Sequence, residues 1–266
     1  MRRRALVASL LAVWATGLTA QTDRASQFME SCSRNRNDYA QFCETRDFTL
    51  PASRSLSVDG RENGGVTVHG WNRADIRVLA MVQTQAESDA DASAIAKNVA
   101  ISANSGSIGA TGPVRNNRHE SWSVSYEIWA PAHTDLTLVA MNGGLSVDNV
   151  DAQMDLETMN GGLSLTDVDG NVRGTTTNGG VTVNLSGDRW RGTGLDLKTT
   201  NGGVHINLPA NYSAVLDAGT VNGGLDLGFP ITVQGTVGRR LTTQLGAGGA
   251  TIRASTTNGG VSVRRR

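Results

Sequence analysis

Residues 136–183 read LTLVAMNGGLSVDNVDAQMDLETMNGGLSLTDVDGNVRGTTTNGGVTV, and the triplet Asn-Gly-Gly returns in them at Asn142, Asn160 and Asn178. The triplet recurs at Asn201, Asn222 and Asn258 and has an earlier copy at Asn63. From Asn142 onward the spacings are 18, 18, 23, 21 and 36. A period near twenty residues marks an array of small structural units that stack on one another. The spacing of 36 is twice 18, so one unit there is expected to have lost its asparagine.

Alignment on the asparagine brings out the rest of the unit. Three residues after it stand Leu145, Leu163, Val181, Val204, Leu225 and Val261; five after stand Val147, Leu165, Val183, Ile206, Leu227 and Val263. Six before stand Leu136, Met154, Val172, Leu195, Leu216 and Ile252. Each flank alternates with period two, the pattern of a short strand with one buried face. Thr158, Thr176, Thr199, Thr220 and Thr256 lie two residues before the asparagine, with the parity of the buried positions. A threonine there packs its methyl inward and bonds its hydroxyl at the corner. Asparagine and glycine accept a left-handed backbone, so Asn142, Asn160, Asn178, Asn201, Asn222 and Asn258 read as structural turns.

Two structures use such a turn. One is a run of β-hairpins, for which Asn-Gly is a strong local signal. The other is a β-solenoid, in which each strand pairs with its counterpart one coil away. The recurrence of like residues at the buried positions favours the solenoid, because they then stack in ladders. With strands ~4.8 Å apart, six or seven coils make a rod about 30 Å long. The expected fold is therefore all-β: a parallel β-helix-like solenoid of about 18-residue coils over 135–266. A β-rich N-terminal cap with one short helix is expected over 48–134.

Within that cap, Leu56 to His69 reads as two strands around the first Asn-Gly-Gly, in a register that differs from the later repeats. Ile76 to Gln83 is a further strand. Ser88 to Val99 is a helix with Ser88 as its cap. Ser121 to Trp129 alternates, with Trp122, Val124, Tyr126 and Ile128 on one face. Arg264, Arg265 and Arg266 are expected to guard the last open edge against pairing with another chain. The five-residue excess behind the spacing of 23 falls in residues 184–194. Trp190 lies there between Arg189 and Arg191, and this loop is the expected protrusion; it is either a tryptophan that covers a coil edge, the favoured reading, or a candidate binding surface.

The start of the chain has the layout of an export signal over residues 1–20. Arg2, Arg3 and Arg4 precede an apolar stretch from Ala5 to Leu18 that is too short to favour a membrane span. Ala20 or the Ala15-Thr16-Gly17 run would supply the cleavage site, and no later stretch is apolar and long enough to span a bilayer. Residues 21–47 read as a polar leader, helical or irregular, that carries Cys32 and Cys43. These are the only cysteines, and in an exported chain a close pair favours a disulfide over a metal site.

Composition sets the outer bounds. The chain has 266 residues, 24 Lys plus Arg against 24 Asp plus Glu, 32 Gly and only 5 Pro. That balance is not basic enough for a nucleic-acid partner, and glycine is far from the one-in-three of collagen. His69, His119, His133 and His205 do not pair at metal-ligand spacing. There is no nucleophile elbow and no phosphate-binding glycine motif. Asp167 to Gly170 resembles the start of a calcium loop but lacks the acidic twelfth position, where Asn178 stands. No catalytic residue, metal or cofactor is expected.

The pattern Thr-x-Asn-Gly-Gly-Val/Leu-x-Val/Leu, with FTLPASRSLSVDGRENGGVTVHGW at 48–71, SWSVSYEIWAP at 121–131 and GAGGATIRASTTNGGVSV at 246–263, resembles the bacterial putative-adhesin family of exported β-solenoids. The resemblance covers residues 46–266. It implies a periplasmic, cell-surface or secreted β-solenoid of undefined molecular function and no specific ligand; an envelope glycan or a surface protein is the expected partner of a binding module of this kind. The alternatives are an envelope scaffold or signalling component working through protein–protein contacts, and a polysaccharide-active enzyme. The enzyme would use carboxylates such as Asp148, Asp151, Asp155, Asp167 and Asp169.

Overall fold

The computed structural model describes residues 16–34, 39–114, 118–229 and 238–266, with side chains from Arg24 onward and not at Arg34. Residues 1–15, most of the expected export signal, lie outside them. The elements in chain order are α1 (Thr16–Arg34), β1 (Ala40–Pro51), β2 (Ser55–Asp59), β3 (Val66–Trp71), β4 (Asp75–Ala86), α2 (Asp89–Lys97), β5 (Ala100–Asn104), β6 (Ser107–Thr111), β7 (Ser121–Pro131) and β8 (Asp135–Ala140). They continue as β9 (Leu145–Asp148), β10 (Asp151–Thr158), β11 (Leu163–Thr166), β12 (Asp169–Asn178), β13 (Val181–Asn184), β14 (Gly194–Asn201) and β15 (Val204–Leu208). The last are β16 (Ala214–Asn222), β17 (Leu225–Leu227), β18 (Arg240–Leu245), β19 (Thr251–Asn258) and β20 (Val261–Arg265).

The strands form two ten-stranded sheets that face each other, and the chain alternates between them at each corner. One sheet runs β1-β4-β7-β3-β9-β11-β13-β15-β20-β17 and the other β18-β16-β19-β14-β12-β10-β8-β2-β6-β5. Pairing is parallel from β7 to β17 and from β16 to β6, which excludes the hairpin array. Antiparallel pairs finish the ends: β1-β4-β7, β5-β6 and β16-β18. Like positions stack as the alternation requires, with Leu145 opposite Leu163 and Leu163 opposite Val181. The rows fill the space between the sheets, and Leu136, Met154, Val172, Leu195, Ile252 and Leu216 are all buried. Each such side chain contributes about 1.5–3 kcal/mol.

The corner chemistry refines the expectation. The asparagines of the triplets do not adopt positive φ; among the described non-glycine residues only Arg61, Asn149 and Asp167 do. Their side chains instead join in a ladder: Asn222→Asn258→Asn201→Asn178→Asn160→Asn142→Asn63, each Nδ2 donating to the next Oδ1 at 2.7–3.2 Å. The first glycine is required by close approach. A Cβ on Gly161 would lie 2.1 Å from the Gly143 carbonyl oxygen, and the same contact repeats at Gly179. The buried threonines complete the corner, Thr176 Oγ1 donating to Gly161 O at 2.7 Å and Thr199 to Gly179 O at 2.8 Å.

Three expectations about the chain's course are corrected. The spacing of 36 does not hide a lost repeat: β19 and β20 turn back and insert between β14-β15 and β16-β17, so Asn258 stands between Asn201 and Asn222. Arg264, Arg265 and Arg266 therefore do not guard the final edge, because β20 is an inner strand and the edge strands are β17 and β18. The first Asn-Gly-Gly is in register after its turn, with Val66 opposite Leu145 and Val68 opposite Val147. Before the turn, Leu56 pairs with Leu136, one residue further from its asparagine. The surplus residue is absorbed in the turn that holds Arg61 at φ 53°.

The two halves share both sheets without a break at 134/135, since β2 pairs with β8 and β3 with β9. The leader is not wholly irregular: its second part is already β1, which pairs with β4 along its whole length. α1 packs on β1 and β4 and is tied to β1 by the Cys32–Cys43 disulfide. α2 packs on β4 and β1, on the face lined by Thr84, whose Oγ1 donates to Ala92 O at 2.7 Å. Ser88 caps its start. At its other end Arg46 donates to Ala96 O at 2.9 Å and Val99 O at 2.6 Å, a cation on the negative end of the helix dipole.

Candidate binding groove

The loop around Trp190 is not the protrusion expected from its extra residues. Trp190 is 4% exposed, sits in the core cluster and donates from Nε1 to Gly170 O at 3.0 Å. The insertion folds inward because a buried indole gains more than an exposed one. Arg189 pairs with Asp188 at 2.9 Å and Arg191 with Asp169 at 2.7 Å. The three residues of the expected protrusion are thus a core side chain and two ion-paired arginines.

The structure places a groove elsewhere, where the asparagine ladder ends. Each inner coil passes from one sheet to the other through the tight Asn-Gly-Gly corner. Between β6, which ends at Thr111, and β7, which begins at Ser121, the sequence has no Asn-Gly-Gly, and the row of corners stops at Asn63. A groove of about 620 Å³ opens there. One wall is the turn Gly60–Asn63, the other is Pro113, Val114 and Trp122, and Val124 and Tyr126 form the floor. Val114 is 86% exposed at the rim, whereas Trp122 is fixed by its Nε1 donating to Pro113 O at 3.1 Å.

Tyr126 is 1% exposed, and its hydroxyl is one of three buried side-chain polar atoms without a protein partner among the described residues. Burial, and then the nearby Asp59 carboxylate, push its phenol upward, so it stays protonated and able to donate. On the turn, Arg61 is held by Asp59 at 3.3 Å and donates to Ala110 O at 3.3 Å. Exposed Met141 and Met159 continue from the groove along the corner; the Met141 N–H donates to Arg61 O at 3.0 Å, which fixes that row beside the turn. The sequence did mark Trp122, Val124, Tyr126 and Ile128 as one face. The overlooked signal was the one phenol in that inward row.

A second polar cluster lies on the outer face of the first sheet. His69 on β3 stands between Asp148 of β9 (Nδ1 to Oδ2, 2.5 Å) and Glu127 of β7 (Nε2 to Oε1, 3.0 Å), and stacks on Trp129. Arg24 of α1 joins Glu127 at 3.1 Å. Burial alone would lower the His69 pKa, but the hydrogen bonds and charges of Asp148 and Glu127 outweigh it and raise it to about 9. The imidazolium is spent on two carboxylates, so this cluster binds strands together. Among the described residues no group of three His, Cys, Asp or Glu side chains is arranged to hold a metal ion, and no helix is long and apolar enough to cross a membrane.

A fold of two sheets, parallel but for their ends and joined by stacked corners, defines a solenoid-like β protein. The chain matches the Toastrack DUF4097 family over residues 47–264, and it belongs to that family. Among solved structures it is similar to a putative cell adhesion protein from Clostridium sporogenes: 12% identity, 85% of this chain and 100% of that chain covered, TM-score 0.47. It is also similar to putative adhesins from Bacteroides fragilis (11%, 85% and 97% covered, TM-score 0.38) and Parabacteroides merdae (10%, 84% and 96%, TM-score 0.34). No curated protein matches the chain.

Proposed function

We propose that this chain is an exported, non-enzymatic, adhesin-like binding module of the cell envelope or surface, and that the groove at the end of the asparagine ladder is its binding surface. The observation that carries this reading is a groove lined by Tyr126, whose buried hydroxyl has no protein partner among the described residues, with exposed Val114 on its rim. Buried polar groups are almost always paired, so an unpaired one in a binding-sized concavity points to a ligand. Export is supported by the Cys32–Cys43 disulfide, since such bonds persist in oxidising compartments. The repeating unit is a coil of about 18 residues, supported by the equivalent positions Leu145, Leu163 and Val181 in neighbouring strands. The non-enzymatic part is supported by His69, whose two ring nitrogens are both committed to carboxylates.

The test is binding of the purified chain to intact cells and isolated envelope. Saturable binding that Val114→Arg weakens at unchanged melting temperature is the expected result. Wild-type binding to neither material would overturn the reading and leave the envelope scaffold, working through its strand edges, as the better account.

A further inference from the structure

The geometry points to an uncharged saccharide as the ligand class of this groove, a proposal that rests on the binding-module reading. The two walls differ in chemistry. Pro113, Val114 and Trp122 form an apolar side; Arg61, Glu62 and Asn63 form a side of planar hydrogen-bonding groups, with Tyr126 also in the lining and its hydroxyl buried beneath it. Arg61 and Glu62 are adjacent and opposite in charge, and Arg61 already pairs with Asp59. The lining itself therefore carries one cation and one anion, and an anion would face the Glu62 carboxylate and, behind Arg61, that of Asp59. A wholly apolar occupant would leave the buried phenol without a partner, at about 1–3 kcal/mol.

A pyranose meets both walls. Its C–H face packs on apolar and aromatic surface, while its hydroxyls donate and accept towards the turn and the phenol. The volume, about 620 Å³, lies within the range of about 300–1,000 Å³ typical of small-molecule sites. The exposed Met141 and Met159, 44% and 49% accessible, run on from the mouth along the ladder. They extend the apolar side for a chain longer than one ring.

The experiment titrates the full chain with tri-N-acetylchitotriose, cellotriose and maltotriose as neutral probes and with trigalacturonic acid as the charged one. It reads saturation-transfer NMR and calorimetry, for wild type, Tyr126→Phe and Val114→Asp. At least one neutral probe is expected to bind, more tightly than its monosaccharide and more tightly than trigalacturonic acid. Tyr126→Phe should weaken it by about tenfold, the loss of one hydrogen bond at about 1.4 kcal/mol. Its melting temperature should hold, because the lost hydroxyl had no partner. Val114→Asp should weaken binding through the rim. Envelope binding retained with no response to any neutral probe, equal affinity in Tyr126→Phe, or preference for trigalacturonic acid would each overturn the saccharide assignment and leave the binding-module reading in place. Probe binding without envelope binding would uphold the saccharide and overturn the adhesive role.

Discussion

At the N-terminal end the coil β2-β3 lies inside the later coil β6-β7; at the other end the final coil β19-β20 lies inside the earlier coil β16-β17. In both places the coil nearest a terminus is one step in from the end. Each inserted coil carries a cation between two carboxylates. His69 on β3 sits between Glu127 and Asp148, and Arg253 on β19 sits between Asp196 (3.5 Å) and Asp217 (3.1 Å). Laid down in sequence order, the strands would bring Asp196 and Asp217 side by side, so the inserted cation replaces a repulsion with two attractions. The ends differ in their finish. The N-terminal end adds α2, the antiparallel β1-β4 pair and the α1 disulfide, whereas the C-terminal end closes on β18 and the three-residue β17. One clamp also uses an imidazole, whose proton is lost at alkaline pH, and the other an arginine that keeps its charge.

The largest effect tests whether insertion matters more than finish. A chain stopped before Thr251 loses two inner strands, with Ile252, Val261 and Val263 removed from the core. At about 1.5–3 kcal/mol each this approaches the whole stability of a typical domain, about 5–15 kcal/mol. It is expected to lose its cooperative melt by circular dichroism. A chain begun at Tyr39 loses α1 and the disulfide but no strand, and should still melt cooperatively at a lower temperature. The comparison breaks if the two truncations behave alike.

Next in size is the close approach of coils. Gly161→Ala drives a Cβ to 2.1 Å from the Gly143 carbonyl oxygen, a backbone contact that no rotamer relieves. It should cost about 3 kcal/mol by denaturant titration, the upper end of overpacking. Gly224→Ala, at the second glycine of the last corner, meets nothing within 4 Å and should fall within about 0.5 kcal/mol, whereas Gly223→Ala at the first meets the Gly259 carbonyl oxygen at 1.9 Å and should cost as much as Gly161→Ala. Equal costs for Gly161→Ala and Gly224→Ala would mean that close approach of the coils does not set the need for glycine.

Much of this was legible in the sequence. The period-two flanks placed Leu163, Leu165 and Met154 inside, and the threonine parity placed Thr176 at the corner. These are local consequences of one repeating unit. The order of the last two coils was not legible, because spacing along the chain says nothing about which neighbour a strand chooses. That choice is made by side chains far apart in sequence, Arg253 with Asp196 and Asp217. Trp190 misled for a related reason: length shows that residues are extra, and only packing decides whether they turn inward. The groove exists because the β6-β7 connection departs from the repeat, so it carried no periodic signal.

The two clamps also separate by pH. His69 has its pKa raised from the model-peptide value of 6.5 to about 9, so its contribution is complete below 6.5 and is lost as pH rises through 9. A shift of that size corresponds to about 3 kcal/mol at most, less in practice because the ring is partly exposed. Asp217 shifts the other way: its hydrogen bond to Arg240 dominates, opposed by burial and aided by Arg253, and holds it below the usual carboxylate value. Its contribution is present above that value and lost only in acid. Raising the pH from 6.5 to 10 should therefore lower stability by about 1–2 kcal/mol in wild type. In His69→Gln that dependence should flatten, while Arg253→Lys should leave it intact. An unchanged alkaline slope in His69→Gln would remove the histidine from the clamp.

The smallest effect asks whether the side-chain ladder ends as the coils do. Asn160 makes two rungs, donating to Asn142 and accepting from Asn178, both at 2.7 Å. Asn222, last in spatial order, makes one, donating to Asn258 at 2.9 Å. All lie on the exposed corner, where water competes and a net hydrogen bond contributes about 0.5–1 kcal/mol. Asn160→Ala should then cost about 1–2 kcal/mol and Asn222→Ala about half of that. A ratio near two means that the rungs act independently and the end of the ladder is weak only because it has one neighbour. A ratio well above two means that aligned amides strengthen one another along the row. In that case the ladder favours long runs of coils, and a groove placed at its end sits where the row has least hold on its neighbours.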